Sequence, residues 1–338
     1  MTMDPPARGT PYEPFDPEYT RGITDTVFGP AGRNWFRPRL IGAERIPTHG
    51  PVVLAGNHSG TAYPYDAMVL DATLWERDGF RPERKFRPLF EKELTLAWWM
   101  RPFGLDNFWR RCGGIDTTFD NFDRVLAGGE RVMYYPEGVP GIGKGFQNRY
   151  RLQRFSTSFV IMAARHRAPV VPVHIVNAEW VMPFNFTLPP LDRLVQRHFH
   201  VPFLPLPGAP LALTFPWAWY ISLPAQMVFV VGEPIDVRAM VDAEGVTDLE
   251  NPDRDAMRRV ANAIRDRMQV ELDVHVAEHG KRPYDLRTLV RGMVRAIRRR
   301  ELFRSTPVGW AWAFTRFHRD RSRTPARNLA HAVLRDWD

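Results

Sequence analysis

The stretch Gly50-Pro51-Val52-Val53-Leu54-Ala55-Gly56-Asn57-His58-Ser59-Gly60 decides how the 338-residue chain is read. Its four central apolar residues carry no charge and stop at Gly56, the pattern of a short strand buried on both faces. Residues 57–64 then read as a loop. From Asp66 to Trp75 apolar residues recur at helical spacing with no breaker, so strand, loop and helix follow in order. The alternation continues outward. Strands are expected at 86–90, 131–135, 168–176 and 227–232, helices at 118–127 and 155–165, and a glycine-rich loop at 139–144. Strands alternating with helices imply an α/β fold, a mainly parallel mixed sheet flanked by helices. Ligands of such sheets sit beyond the carboxyl ends of strands, where Asn57-His58 and Pro136-Glu137-Gly138 both fall.

His58 opens its loop, and Asp66 lies eight positions on. A carboxylate that fixes a histidine's tautomer and stabilises the imidazolium makes that histidine a general base. The same spacing also suits a loop histidine followed by an aspartate that caps a helix. Ser59 is one place late for the Gly-x-Ser-x-Gly nucleophile elbow, which disfavours a serine nucleophile. No P-loop, dinucleotide fingerprint or His-Glu-x-x-His motif is present, so neither a cofactor nor a metal is expected. His198-Phe199-His200 reads as packing or surface. The single cysteine, Cys112, excludes an intramolecular disulfide framework and a cysteine-built zinc site.

Three blocks in order, Asn57-His58 with Asp66, Tyr135-Pro136-Glu137-Gly138, and Ala168-Pro169-Val170-Val171-Pro172-Val173, resemble the glycerolipid (lysophosphatidate-type) acyltransferase family over roughly residues 35–275. The resemblance implies a glycerol-3-phosphate acyltransferase-like fold, with His58 and Asp66 catalytic and Glu137 helping to hold the acyl acceptor. It further implies an O-acyltransferase. The donor would be acyl-CoA or acyl-ACP and the acceptor a glycerolipid hydroxyl such as that of lysophosphatidate, with backbone N–H groups of the glycine-rich loops stabilising the oxyanion. The expected substrate-binding set is Asn57, Ser59, Gly60, Pro136, Glu137, Gly138, Lys144, Arg149 and Arg151. Two departures bear on this. Seven residues separate His58 from Asp66 where the family has four, which leaves Asp116 and Asp120 as rival partners. The family's phosphate-binding arginine is missing near Gly113-Gly114-Ile115-Asp116, with Arg110 and Arg111 as substitutes. A neutral acceptor such as monoacylglycerol, or a non-enzymatic lipid- or nucleic-acid-binding protein on the same fold, are the alternatives.

The net charge of +8 is unevenly spread. Residues 281–338 hold 15 basic and 5 acidic residues, leaving 31 basic and 33 acidic in the rest. Between Asp285 and Phe303, Leu286, Leu289, Val290, Met293, Val294 and Ile297 form one helical stripe, with arginines mostly on other faces. Trp310, Trp312, Phe314 and Phe317 follow. A basic amphipathic helix with aromatics suits an anionic membrane surface, so the protein is expected on the cytoplasmic face of the membrane as a peripheral enzyme, and nucleic acid is not expected as a partner. Residues 199–220, rich in Phe, Trp, Leu and Pro, read as an apolar ramp or a buried excursion. The expected organisation is an extended or disordered arm at 1–20, an acyltransferase domain at 21–280 and a membrane-associating tail at 281–338. Removing the tail is expected to release the enzyme without unfolding the core.

Overall fold

The structure, a computed structural model, describes residues 15–59, 61, 64–90, 108–188, 190 and 222–322. Gly60, His198, His200, residues 199–220 and the end of the tail lie outside them. The chain opens with α1 (Pro17–Ile23), followed by two wide helical turns at Thr24–Phe28 and Ala31–Phe36. Next come β1 (Arg39–Ile41), β2 (Val52–Gly56), α2 (Tyr65–Arg77), β3 (Phe86–Phe90), α3 (Phe108–Arg111), β4 (Ile115–Asp116), α4 (Phe119–Ala127) and β5 (Arg131–Tyr134). The short α5 (Val139–Ile142) precedes α6 (Ser158–Arg165), β6 (Val170–Val176), β7 (Val228–Val231), α7 (Val237–Ala243) and α8 (Arg254–His279). The tail supplies α9 (Leu286–Arg298), α10 (Leu302–Ser305) and α11 (Pro307–Ser322).

The strands form one sheet in the order β1-β7-β6-β2-β5-β3-β4. From β6 to β4 all neighbours are parallel. β7 runs antiparallel to β6, and β1 runs parallel to β7. This is the expected mainly parallel mixed sheet between helices. Every residue of β2, β5, β6 and β7 is buried, which is why their sequences read as uninterrupted apolar runs. Successive side chains take opposite faces. Val52 and Leu54 pack with α1, α2 and the helical turns, whereas Val53 and Ala55 pack with α4, α6, α7 and α8.

Several expectations need correction. The arm stops before residue 17: Asp16 accepts from the Tyr19 N–H at 2.8 Å and Pro17 opens a helix whose Tyr19 and Thr20 are buried. Residues 139–142 are helical, because Pro140 sits in a first turn where its missing N–H costs nothing. α6 starts at Ser158, since the segment before it is not helical and the Ser156 N–H is tied to the Pro136 carbonyl at 2.8 Å. The single helix expected over 285–303 is broken after Arg298, and Arg300 takes a positive φ of 56°.

The tail is also less separable than expected. Ala313 and Phe314 of α11 belong to the main core cluster, and the Phe317 ring meets Tyr19 edge-on at 5.5 Å. The Ser305 hydroxyl accepts from Asn34 Nδ2 at 3.0 Å. α9 lies against the turn Ala31–Phe36 through Gly292 and Ala296. A Cβ at Gly292 would stand 2.6 Å from the Asn34 carbonyl oxygen, so only glycine permits this approach.

Candidate active site

The site begins where β2 ends. The Asn57 side chain prolongs the sheet, accepting from the Ile175 N–H at 2.7 Å and donating to the Ile175 carbonyl at 3.1 Å. That clamp on β6 fixes the point from which His58 leaves the strand. Asp66 sits in the first turn of α2, fully buried, and its Oδ2 lies 3.0 Å from His58 Nδ1. The same oxygen accepts from the Ser59 N–H at 3.0 Å, and Oδ1 accepts from the Ala67 N–H at 2.9 Å. Burial pushes this carboxyl up, but the charge and hydrogen bond of His58 with the two N–H donors outweigh it, and the carboxyl sits below its usual value. An ionised Asp66 accepts the proton of Nδ1, which leaves Nε2 as the basic nitrogen. The Tyr135 ring stacks on the imidazole at 4.1 Å with planes 15° apart.

Glu137 grips the loop from behind. Its Oε1 accepts from the His58 N–H at 2.8 Å, and its Oε2 accepts from the Gln153 N–H at 2.7 Å. Both oxygens of this buried carboxylate thus hold main chain rather than face a ligand. Gly141 permits the packing: a Cβ there would stand 2.5 Å from Glu137 Cβ and 3.0 Å from His58 Cβ. Lys144 is buried, with Nζ 3.9 Å from Glu137 Oε2 and 3.8 Å from Glu179 Oε1. Burial raises the Glu179 carboxyl to about 7, against the opposing pull of Lys144.

The structure thus brings together His58, Asp66, Asn57, Ser59, Glu137, Gly138 and Lys144, but gives some of them other work. Lys144 is a buried counter-ion, not a residue presented to a ligand. Ser59 Oγ lies 3.2 Å from Thr61 Oγ1 in a buried pair. Pro136 lends its carbonyl to the Ser156 N–H at 2.8 Å, and Gly138 closes a turn onto Tyr135. Arg149 stacks over Phe146 and Trp180, at 4.7 and 5.8 Å from their ring centres, and Arg151 is exposed. Asp116 does not reach His58: it lies on β4 at the sheet edge and accepts from Arg110 at 3.1 Å. Asp120 is exposed on α4. Arg111 pairs with Asp16 at 3.0 Å, so both arginines proposed for the acceptor phosphate hold carboxylates. Sequence reasoning missed Glu179 and Gln153, and it placed Tyr135 in the motif without the stacking role.

A buried, carboxylate-held histidine at the carboxyl end of an inner parallel strand has the geometry that general-base chemistry requires. The model of the Acyltransferase family matches residues 37–176, the span that carries β1 to β6 with His58, Asp66 and Glu137. This segment is therefore similar to the Acyltransferase family's domain. Uncharacterized proteins of Mycobacterium bovis and Mycobacterium tuberculosis are 30% identical over 223 residues, 65% of this chain and 58% of theirs. One from Mycobacterium leprae is 32% identical over 223 residues, 57% of its length. The chain thus spans little more than half the length of these relatives. A solved structure, the 1-acyl-sn-glycerophosphate (LPA) acyltransferase PlsC from Thermotoga maritima, aligns over 75% of this chain and 79% of that one, with 17% identity and a TM-score of 0.42.

Proposed function

We propose that the protein is an O-acyltransferase that moves a fatty acyl group from an acyl thioester, acyl-CoA or acyl-ACP, to the hydroxyl of a glycerolipid. The observation that carries this reading is the 3.0 Å contact of Asp66 Oδ2 with His58 Nδ1, which directs Nε2 away as the base. In the step we envisage, Nε2 takes the proton of the acceptor hydroxyl as its oxygen attacks the thioester carbonyl. The C–S bond breaks, and the proton passes from Nε2 to the departing thiolate. No covalent acyl-enzyme is required, in keeping with a Ser59 hydroxyl engaged by Thr61. His58→Ala is expected to lower acyl transfer about 10²- to 10⁴-fold. Turnover of labelled acyl-CoA near the wild-type level in that variant would end the proposal.

A neutral acceptor is the second reading, favoured by the carboxylates that occupy Arg110 and Arg111. Lysophosphatidate and monoacylglycerol, offered in parallel to the wild-type protein, separate the two. The enzyme would work as a peripheral protein at the cytoplasmic face of an anionic membrane. Supporting this, Leu286, Val290, Val294 and Ile297 of α9 are 69%, 60%, 42% and 59% exposed, whereas the small residues Gly292 and Ala296 make the contact with the body. Among the described residues, no helix is long and apolar enough to cross a membrane.

A further inference from the structure

Between α9, α2 and the turn Ala31–Phe36 lies a crevice of about 410 Å³ that shares no residue with the His58 site. Five arginines line it, Arg33, Arg37, Arg39, Arg291 and Arg295, against one carboxylate, Glu76. Arg33 is neutralised by Glu76 at 2.7 Å and Glu301 at 3.6 Å. Arg37 is buried in the wall, donating to Thr288 Oγ1 at 3.2 Å and the Pro224 carbonyl at 2.8 Å, with the charge of Asp285 acting on it. Arg39, Arg291 and Arg295 are exposed and have no carboxylate partner among the described residues. Arg291 and Arg295 make only long hydrogen bonds, to the Arg287 carbonyl at 3.4 Å and the Arg33 carbonyl at 3.5 Å. Three guanidinium groups without a carboxylate partner at a concave mouth suit an anion, and guanidinium matches phosphate geometry. The floor is apolar where Val69, Ala72 and Phe28 contribute.

What stands beside the crevice identifies the anion's carrier. Arg291 and Arg295 spring from the same helix as Val290 and Val294, whose side chains project outward, unpartnered among the described residues. Positions 286, 290, 294 and 297 cover roughly 80° of the helix, and Arg287, Arg291, Arg295 and Arg298 flank them on one side. A ligand with its phosphate in the crevice therefore lies with its remainder along an apolar ridge, which suits acyl chains and not a free phosphate.

We infer that this crevice is a headgroup site for an anionic phospholipid, separate from the catalytic groove, and that it seats the enzyme on the bilayer. The inference rests on the peripheral-membrane reading above. Its probe is dihexanoyl phosphatidylglycerol below its micelle concentration, titrated calorimetrically into the full chain. Wild type is expected to bind it and not dihexanoyl phosphatidylcholine. Arg291→Ala with Arg295→Ala is expected to weaken binding at least about tenfold through lost charge-assisted hydrogen bonds. Arg298→Ala with Arg299→Ala removes the same charge outside the crevice and is expected to leave binding within about threefold. Equal losses in the two double variants, equal binding of the phosphatidylcholine probe, or inorganic phosphate binding as tightly as the lipid would each overturn the site. Flotation with phosphatidylglycerol vesicles tells the two readings apart. Flotation without short-chain lipid binding sinks the crevice alone, and no flotation sinks the membrane reading with it.

Discussion

His58 and Asp66 become a unit through main chain as much as through each other, since the Ser59 and Ala67 N–H groups hold the carboxylate in place. Glu137 does the converse, holding main chain with a side chain. The first pair was legible in the sequence because both residues fall in one loop after a recognisable strand. The work of Glu137 was not, because its targets are backbone donors at positions 58 and 153, brought together only by the sheet crossing. Glu179 lies further still from the motifs, 42 residues beyond Glu137, and yet its charge state carries a measurable consequence. Burial raises its carboxyl from 4.5 to about 7, opposed by Lys144. A group that holds its proton more tightly when folded stabilises the fold at low pH. That contribution is full below the unfolded value of 4.5 and declines until pH passes about 7. Glu179→Gln is expected to remove this decline, so that urea midpoints at about pH 5 and about pH 8 lie closer together than in wild type. An undiminished difference would assign the decline to another group.

At the scale of elements, the buried strands were readable because each is apolar on both faces, and their observed limits fall within two residues of the expected ones. The reversal of β7 against β6 was not readable, because apolar runs carry no direction. The periodicity of α9 was plain, but not which face would dock. The six large apolar positions read as a stripe for a membrane surface, and the small residues make the contact with the body because Gly292 lets the helix reach the Asn34 carbonyl, leaving the valines outside. Val290→Ser with Val294→Ser is therefore expected to weaken binding to phosphatidylglycerol vesicles by about 10- to 100-fold, the loss of two apolar side chains from an interface. Thermal stability should change little, since exposed substitutions usually stay within about 0.5 kcal/mol. A large fall in the unfolding temperature with vesicle binding intact would mean that the stripe is a packing face after all.

For the whole molecule, the basic tail is a block of charge in the sequence, yet in the structure its helices pack into the body. Charge and periodicity are local signals, whereas the Phe317 ring set edge-on against Tyr19 joins distant parts of the chain. Ending the chain at residue 285 strips Ala313 and Phe314 from the main core cluster and uncovers the turn Ala31–Phe36. Burial of one such aromatic stabilises by about 1.5–3 kcal/mol, so the truncated chain is expected to unfold several degrees lower, by about 5 °C or more. An unchanged unfolding temperature would restore the picture of a detachable anchor.

The antiparallel step between β6 and β7 has a consequence for direction. Because β7 and β1 run opposite to β2, the start of β1 lies level with the end of β6: Arg39 pairs with Val228, and Val228 with Val176. Arg39, at the mouth of the arginine crevice, thus shares a rim of the sheet with His58, and three strand spacings of about 4.8 Å separate their strands. On the proposed membrane reading, a body resting on that rim would keep its compass bearing as it drifts, with His58 turned toward hydroxyls rising from the leaflet beneath it, and a product's new chain would slip sideways into that leaflet without crossing water.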